Sequence, residues 1–248
     1  YWTGSFLLSY LTEQAMDEVC KNKGKIIFPP YEKGHNPTPG QGEGYPNKFQ
    51  AIVPPDFDPV CCEQRVQKAW KDLAGHIWDH YVAPGAKGGK DTEEIWNRQV
   101  NDFWYLQWAL SHEENDALLD QRKNWRSYIP TIEGGDKCTL MGNLQELSGY
   151  IRSSRNNEKK DQDDFWETMR NELHLLDLKD GERLCSIALI KRLFPRAYND
   201  LNKTSLPESF PSTTYVAALG WMQKVMEACP DMAKAYALAD VVVSRAGA

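Results

Sequence analysis

The sequence predicts a protein of the α+β class, with its strands in residues 1–112 and mainly helices in residues 113–248. In the first part, apolar residues at helical spacing alternate with short apolar runs, in the order helix, strand, strand, helix, strand. In the second part, helical patterns are separated by polar connections. One more strand in front would complete a split βαβ arrangement, so we expect a ferredoxin-like domain lacking its first strand, which should lie immediately upstream of Tyr1. A mainly α-helical domain is expected to follow it.

Each element of the first part is indicated by its apolar pattern and by the residues that close it. The elements are a helix over residues 3–22, strands over 25–28 and 48–53, a helix over 60–81 and a strand over 103–110. Prolines close the first two strands, and the earlier of these is expected to be buried. Thr3 or Ser5 could cap the first helix, and residues 31–46 hold the glycines and prolines of a flexible loop.

The second part is expected to be built from helices. They are predicted over residues 116–128, 164–176 and 231–244, with two more between residues 180 and 221. Pro195 is expected to stop the first helix of that pair, and Ser212 or Thr213 to cap the second. Both helices of the pair are predicted to belong to the core, whereas residues 152–164 suit a charged, solvated linker.

The composition limits the classes of function. The net charge is −6, from 29 basic and 35 acidic residues, which argues against a nonspecific nucleic-acid binder because such proteins need a basic surface. No apolar run approaches the roughly 20 residues that cross a bilayer, so we expect no membrane segment. The six cysteines form no regular framework, and free thiols in a cytoplasmic protein are the simplest interpretation.

Several short stretches follow one another in the order found in one protein family. They are Trp2, Gly4, Ser5, Leu8 and Ser9; residues 26–29; residues 46–54; Arg122, Lys123 and Arg126; residues 181–195; and residues 210–213. Together they resemble the large subunit of type III-B (Cmr) CRISPR effector complexes. Several short matches in one order are far more specific than any one of them, and these cover most of the chain.

The resemblance implies that residues 1–112 form the first of two palm-like domains related to polymerases and nucleotide cyclases. In that family, RNA-guided complexes bound to target RNA make cyclic oligoadenylate messengers from ATP, and divalent metal is held at an acidic turn of the second palm. Neither that turn nor the nuclease domain of many relatives occurs in this sequence. We therefore predict no catalytic residue here, and expect a scaffold whose partners are other subunits, CRISPR RNA and target RNA.

Gly4 and Ser5 are the predicted nucleotide contacts. A Gly-Ser pair at a helix start presents free backbone N–H groups and a hydroxyl, which suit a phosphate or a ribose. The resemblance favours this interpretation over plain helix capping, because each palm of the family contributes to a nucleotide pocket at the palm–palm interface. The resemblance also implies RNA or subunit contacts by five basic residues, which are Arg122, Lys123, Arg126, Lys191 and Arg192.

Two other polar clusters are interpreted as structural. Glu133-Gly-Gly-Asp136 is similar to the metal-binding turn of palm cyclases, but Lys137 takes the place of the second acid, so we predict an ordinary glycine turn. His76 and His80 have a spacing that can bind metal. Their helix also packs a core, which favours a capping or surface role.

Cys138-Thr-Leu-Met141 lies in a loop predicted over residues 134–149, at the place where many relatives carry half of a zinc site. A thioether is a poor zinc ligand, and no second Cys or His pair follows at suitable spacing. We therefore predict a degenerate zinc-loop-like segment that holds no zinc.

A rival hypothesis assigns the chain to a class unrelated to CRISPR. It would be a self-contained hydrolase that uses Asp163, Asp164 and Glu167, or a helical interaction module that binds no nucleotide. The three acids are explained better as the solvated start of a helix, where negative charge complements the helix dipole.

Overall fold

The computed structural model describes residues 2–31, 44–112, 117–123, 129–153, 158–173, 177–203, 206 and 213–228. The described elements are α1 (Trp2–Lys21), β1 (Lys25–Phe28), β2 (Gln50–Ile52), α2 (Val60–Ile77), α3 (Thr92–Asp102), α4 (Leu118–Lys123), α5 (Lys159–Glu172), α6 (Ser186–Asn202) and α7 (Thr213–Ala228). A π-helical turn over Trp78–Val82 continues α2, and a short 3-10 turn spans Ala86–Gly88. The chain divides into two compact units, residues 1–206 and residues 207–248. Within the described ranges, no helix is both long and apolar enough to cross a membrane.

Helix α1 confirms the helix predicted over residues 3–22 and ends in a specific backbone motif. Lys23 has a φ of +64°, and its N–H donates to the carbonyl of Cys20 at 3.1 Å. The N–H of Gly24 donates to the carbonyl of Val19 at 2.9 Å. This pair of bonds is a Schellman motif, which satisfies the last carbonyls of the helix and turns the chain toward β1.

Helix α2 buries the face that its apolar spacing predicts. The buried residues on this face are Val66, Ala69, Trp70, Leu73, Ala74 and Ile77. Trp70 is only 2% exposed, and its indole Nε1 donates to the carbonyl of Val100 at 2.8 Å. The contact joins α2 to the end of α3 and satisfies the one polar atom of a large buried side chain.

The strand predicted over residues 103–110 is wrong. That segment has no regular structure, and the helix before it, α3, was not expected from its polar sequence. The aromatic rings of Phe103 and Trp104 instead pack against Trp70, with ring centroids 6.1 and 5.5 Å away. The alternating apolar residues of 103–110 also do not form one buried face, because Trp108 and Leu110 are 41% and 53% exposed.

The first two predicted strands exist and form an antiparallel pair. β1 and β2 pair with Lys25 opposite Ile52 and Ile26 opposite Ala51. The expectation that the first of these strands is buried is wrong, since Phe28 is 54% exposed, and Ile52 on β2 is 66% exposed. A wider ferredoxin-like sheet stays a prediction. So does a domain boundary between residues 112 and 113, although one buried apolar cluster contains residues from both sides of it.

The helical part departs from its prediction in two places. α5 begins at Lys159, inside the segment expected to be a solvated linker, and Gln162 of that segment is completely buried. α6 continues through Pro195 to Asn202, so Pro195 does not stop it. A proline inside a helix removes one backbone hydrogen bond, and tight packing compensates here because Phe194 and Ala197 on either side are buried.

The remaining helices match their predictions in part. α4 covers residues 118–123 of the helix expected over 116–128, and residues 124–128 lie outside the described ranges. α7 begins at Thr213, so Thr213 lies inside the helix and is not its cap, while Ser212 lies outside the described ranges. That α7 belongs to a core stays a prediction. The helix expected over residues 231–244 also lies outside the described ranges.

Alanine substitutions at two glycines with positive φ should separate the cost of backbone strain from the cost of a steric clash. Gly149 and Gly181 have φ values of +74° and +76°, but only at Gly149 would a Cβ overlap another atom, the carbonyl oxygen of Lys90. Gly181→Ala should therefore cost only the left-handed conformational penalty, about 1–2 kcal/mol in the free energy of unfolding. Gly149→Ala should cost clearly more in the same urea titration. Equal losses in the two variants would contradict the packing described around Gly149.

Candidate functional site

Gly4 and Ser5 lie in the first turn of α1. Because α1 begins at Trp2, the helix starts before both Thr3 and Ser5, and neither residue is its cap. Ser5 is exposed, and a Cβ placed on Gly4 would meet no atom within 4 Å. The described residues therefore leave this turn accessible. The first backbone N–H groups of any α-helix have no carbonyl partner within the helix, because no helical residue lies four positions before them.

The next turn of α1 is tied to the segment that precedes β2. The hydroxyl of Ser9 accepts a hydrogen bond from the N–H of Tyr45 at 2.7 Å, and Ser9 itself is buried. A cavity of about 20 Å³ lies beside this contact and has room for about one water molecule. The side chains around it are Phe6, Ser9, Tyr10, Glu13, Phe194, Tyr198 and Leu206. A nucleotide cannot enter a space of this size, so a ligand at Gly4 would have to bind on the open side of the turn.

Aromatic contacts at this cavity join α1 to α6. The ring of Tyr10 lies 6.0 Å from that of Phe194 and 5.7 Å from that of Tyr198, measured between centroids. Burial raises the pKa of the hydroxyl of Tyr10 above its usual value. Two stretches that carry the family resemblance, near the start of the chain and near Phe194, are therefore in direct contact.

The acids of the Glu133-Gly-Gly-Asp136 turn are used in structural hydrogen bonds. Glu133 accepts from Arg98 Nε at 2.7 Å, from Gln99 Nε2 at 2.6 Å and from the N–H of Gln145 at 2.7 Å. Gly135 has a φ of +70°, a conformation that suits glycine. The side-chain oxygen Oδ2 of Asp136 accepts from Gln162 Nε2 at 2.9 Å and from the N–H of Arg152 at 3.1 Å. These hydrogen bonds suit the predicted ordinary glycine turn, which stays a prediction.

Gln99 is the polar residue of this region that sequence reasoning missed. Its Oε1 accepts hydrogen bonds from both the N–H and the hydroxyl of Ser186, each at 2.9 Å. Its Nε2 donates to Glu133 and to the carbonyl of Gln145. The helical spacing of Ile95, Gln99 and their neighbours was the available signal, and it was obscured by the charged residues on the exposed face of α3.

Glu146 is a completely buried carboxyl that the sequence did not single out. It accepts from the indole Nε1 of Trp166, from the hydroxyl of Ser148 and from the N–H of Ser148 at 3.1 Å. Burial raises the pKa of Glu146, and the hydrogen bonds from Ser148 and Trp166 act in the opposite direction. These bonds fasten the buried face of α5 to residues 145–150.

The histidines at the end of α2 contact α6. The rings of His76 and His80 lie 4.3 Å apart between centroids, and His76 Nε2 is 3.3 Å from Asp200 Oδ2. The hydroxyl of Tyr81 donates to the same oxygen of Asp200. The hydrogen bond from Tyr81 and then that from His76 hold the pKa of Asp200 below its usual value. This arrangement suits the predicted surface role.

The zinc-loop-like segment is bonded to a second segment that carries a buried cysteine. Cys138 and Cys185 are both buried, and the segments that carry them are joined by a hydrogen bond from the N–H of Thr139 to the carbonyl of Arg183 at 2.8 Å. Met141 contributes its backbone N–H to Cys138 Sγ at 3.4 Å. The part of the chain that the structure describes contains no group of three or more His, Cys, Asp or Glu side chains that could hold a metal ion. Whether the protein carries zinc stays a prediction.

Of the predicted RNA or subunit contacts, the structure describes the side chains of Lys191 and Arg192, which are adjacent on α6. Arg192 donates to both carboxylate oxygens of Glu182, at 2.5 and 2.7 Å, and to the carbonyl of Asp177 at 2.7 Å. The ammonium group of Lys191 stands 5.8 Å from the ring centroid of Phe103. Arg122 and Lys123 end α4, but their side chains, like the whole of Arg126, lie outside what the structure describes.

The acids of the rival hydrolase hypothesis lie on α5. Asp163 forms an ion pair with Arg152, while Asp164 and Glu167 are exposed. The hydrogen bond from Arg152 holds the pKa of Asp163 below its usual value. A solvated helix face with one local ion pair accounts for all three residues.

The different surroundings of two adjacent basic residues predict different effects of their removal. Arg192→Ala should lower the free energy of unfolding by about 1–3 kcal/mol, because it leaves the partly buried Glu182 and a carbonyl without their donor. Lys191→Ala, the matched control, should change it by well under this amount.

The pH dependence gives a second readout of the same pair. The hydrogen bond from Arg192 lowers the pKa of Glu182, so its contribution to stability is present above the unfolded-state pKa and is lost as pH falls through the folded-state value. The deficit of Arg192→Ala should therefore shrink below about pH 4. A deficit that is the same at neutral and acidic pH would show that the carboxylate is not the partner that matters.

Comparison with known proteins finds a family match for the first part of the chain. Residues 1–75 match the family model described as CRISPR-associated protein Cmr2, N-terminal. No curated protein and no solved structure matches the chain. The matched region contains α1, β1, β2 and nearly all of α2, and therefore the turn that carries Gly4 and Ser5.

Proposed function

We propose that this chain is a scaffolding and nucleotide-contacting part of a type III-B CRISPR effector complex. The match of residues 1–75 to the family model of the N-terminal region of Cmr2, the large subunit of such complexes, supports this proposal. The turn with Gly4 and Ser5 forms one side of an ATP pocket. The other side belongs to a second palm-like domain, and the pocket serves cyclic oligoadenylate synthesis after target RNA is bound. Other subunits, CRISPR RNA and target RNA are the partners.

The observation that carries the nucleotide contact is the open first turn of α1 inside the matched region. Backbone N–H groups at a helix start attract anions through hydrogen bonds and through the helix dipole. Gly4 has free space where a Cβ would stand, so a phosphate could approach the backbone closely. Ser5 adds an exposed hydroxyl beside it.

The order of elements around this turn supports the palm-like fold as part of the proposal. α1, β1, β2 and α2 follow one another, and the two strands pair antiparallel. In a ferredoxin-like domain, the second and third strands form such a pair between the two helices. The exposed side chains of Phe28 and Ile52 also suit strands that are covered by further structure.

Catalysis is not assigned to this chain. Residues 133–136, which have a sequence similar to a metal-binding turn, use their acids in hydrogen bonds with the protein itself. Among the residues with a described structure, no group of three or more acids, cysteines or histidines could hold a metal ion. The proposal places the divalent metal that accompanies ATP on the second palm.

The ATP contact is tested by a pair of glycine variants in the assembled effector. Gly4 and Gly75 both lie in helices, and a Cβ on either would meet nothing within 4 Å. Each Gly→Ala change should therefore raise the free energy of unfolding by about 0.5–1 kcal/mol. Only Gly4→Ala should weaken ATP binding, because its methyl group would stand between the phosphate and the backbone.

Ser5→Ala completes this test. A hydrogen bond to a charged phosphate is worth about 1.5–3 kcal/mol, so its loss should weaken ATP binding roughly 10- to 150-fold. Since Ser5 is not the cap of α1, the same change should leave stability nearly unaltered. Unchanged ATP affinity in both Gly4→Ala and Ser5→Ala, measured by equilibrium binding, would rule out the proposed contact.

The absence of catalytic residues is tested by replacement. When this chain takes the place of the whole large subunit, a complex supplied with ATP, magnesium or manganese ions and target RNA should make no cyclic oligoadenylate. The product is readily separated from ATP by chromatography. Its formation above the level of a mock-purified control would show that the chain carries a complete active site.

A further inference from the structure

A cleft of about 810 Å³ opens at the start of α3. Its walls are the π-helical turn after α2, the 3-10 turn over Ala86–Gly88 and the first residues of α3. The volume falls within the roughly 300–1,000 Å³ of typical ligand sites. All of its lining residues follow residue 75, so the cleft lies outside the region that matches Cmr2 and shares no residue with the turn at Gly4.

Contacts within the protein fix two walls of the cleft. The ring of Trp78 packs against that of the buried Trp96, with the centroids 5.3 Å apart. The hydroxyl of Tyr150 donates to the carbonyl of Gly88 at 2.9 Å, which holds the 3-10 turn in place. A ligand therefore enters a shape that already exists, at little cost in ordering the protein.

The charges around the cleft are mostly negative. Asp91, Glu93 and Glu94 line it with exposed side chains, and Lys87 is the one basic residue among its lining side chains. Within the described ranges, none of the three acids has an ion-pair partner. Acids at the start of a helix also complement its dipole, but a helix N-terminus carries only roughly half a positive charge. Three carboxylates therefore leave the cleft with a surplus of negative charge, even with Lys87 counted.

A buried hydroxyl without a partner belongs to the same cleft. Thr92, which is 5% exposed, lines it, and its Oγ1 forms no hydrogen bond within the described structure. A Cβ on Gly89, which also lines the cleft, would overlap this oxygen, so the hydroxyl lies directly against the wall that Gly89 forms. Buried polar atoms almost always have a partner, and a threonine oxygen can accept a hydrogen bond. This oxygen is thus an acceptor for a ligand that carries N–H donors.

These features select one class of ligand. The three carboxylates would repel an anion such as phosphate. Among the residues that the structure describes, no group of three or more His, Cys, Asp or Glu side chains could hold a metal ion. A guanidinium group suits the cleft because its several N–H groups donate to carboxylates and to a hydroxyl, and because its planar face stacks on an aromatic ring. An ammonium group is a compact point charge and matches this combination less well.

We propose that this cleft binds the guanidinium group of an arginine side chain presented by a partner protein. Glu93 and Glu94 accept hydrogen bonds from it, Thr92 adds a hydroxyl acceptor, and Trp78 supplies the aromatic surface. The acids are exposed at the rim, so an arginine side chain can enter while its own backbone stays outside. The site goes beyond the proposed nucleotide contact and does not depend on it.

The binding test uses the whole chain, labelled with ¹⁵N, and N-acetyl-arginine N-methylamide as the probe. The indole N–H signal of Trp78, assigned by its loss in Trp78→Phe, reports binding in an NMR titration at low salt. The arginine probe should shift this signal in a saturable way. The citrulline analogue, which has nearly the same shape but no charge, should not shift it. The lysine analogue should bind about 2- to 5-fold more weakly, because it stacks poorly on the indole.

A double variant tests the two carboxylates of the rim. Glu93→Gln combined with Glu94→Gln should weaken binding of the arginine probe by about 2- to 5-fold for each lost ion pair. Asp164→Asn combined with Glu167→Gln is the matched control, because it makes the same change of net charge on exposed residues of α5 that do not line the cleft. The control should bind the probe like the unaltered chain.

Thr92→Val tests the hydroxyl, since valine keeps the shape of threonine and removes the oxygen. It should weaken binding of the arginine probe without lowering the melting temperature, because the oxygen has no partner within the described structure. A lower melting temperature would show that the hydroxyl already serves the fold and would remove it from the site.

Four results would overturn the proposal. The citrulline analogue binding as tightly as arginine would show that charge plays no part, and equal losses in both double variants would show that no particular acid does. A shift of the Trp78 signal by inorganic phosphate but not by arginine would make the cleft an anion site. Binding of spermidine at least as tight as that of the arginine probe would make the ligand a free polyamine instead of a partner side chain.

Discussion

The carboxamide of Gln99 joins three segments that are far apart in the sequence. Its nitrogen donates to Glu133 and to the carbonyl of Gln145, and its oxygen accepts twice from Ser186. Gln99 is 3% exposed, so water cannot replace a lost partner easily, and each missing bond would leave a buried polar atom unsatisfied. The position of α3, the turn at Glu133 and the start of α6 therefore depend on one another.

Contacts between α1 and α6 link the region that matches Cmr2 to the segments held together by Gln99, because α6 begins at the Ser186 that Gln99 binds. Helix α1 lies wholly within residues 1–75, and its Tyr10 packs against Phe194 and Tyr198 of α6. The open turn at Gly4 is thus part of a helix that is anchored in the core by residues such as Leu7 and Leu11. A ligand contact on such a helix would be positioned by packing that lies well beyond the matched region, which fits a scaffold better than an independent binding module.

The sequence predicts the elements that have strong apolar spacing and misses those fixed by polar contacts. The face of α2 with Val66, Trp70 and Leu73 could be identified because its period is strict and its side chains are large. α3 was missed because its exposed face is highly charged, and its buried Gln99 has no apolar signature. The false strand after α3 arose because alternating aromatic residues suit both a strand and an irregular segment packed on Trp70.

The same distinction applies to the candidate site. Gly4 and Ser5 could be located at the start of a helix, but the sequence placed the helix boundary too late and so suggested a capping role for Ser5. Arg192 looked like a free basic residue because Glu182, ten positions earlier, gave no sign of pairing with it. The spacing of apolar residues predicts well which face of a helix is buried. It does not predict an ion pair such as Arg192 with Glu182, because that pair depends on how the chain folds back on itself.

The buried carboxyl of Glu146 gives folding an unusual proton balance. Burial raises its pKa, so over the interval between the unfolded and the folded value this side chain takes up a proton as the chain folds. Glu182 and Asp200 have lowered pKa values and release protons on folding in their own intervals. Acid therefore acts in opposite directions on two regions. Protonation of Glu146 removes the cost of burying its charge, whereas protonation of Glu182 and Asp200 gives up the hydrogen bonds that Arg192, Tyr81 and His76 make to their carboxylates.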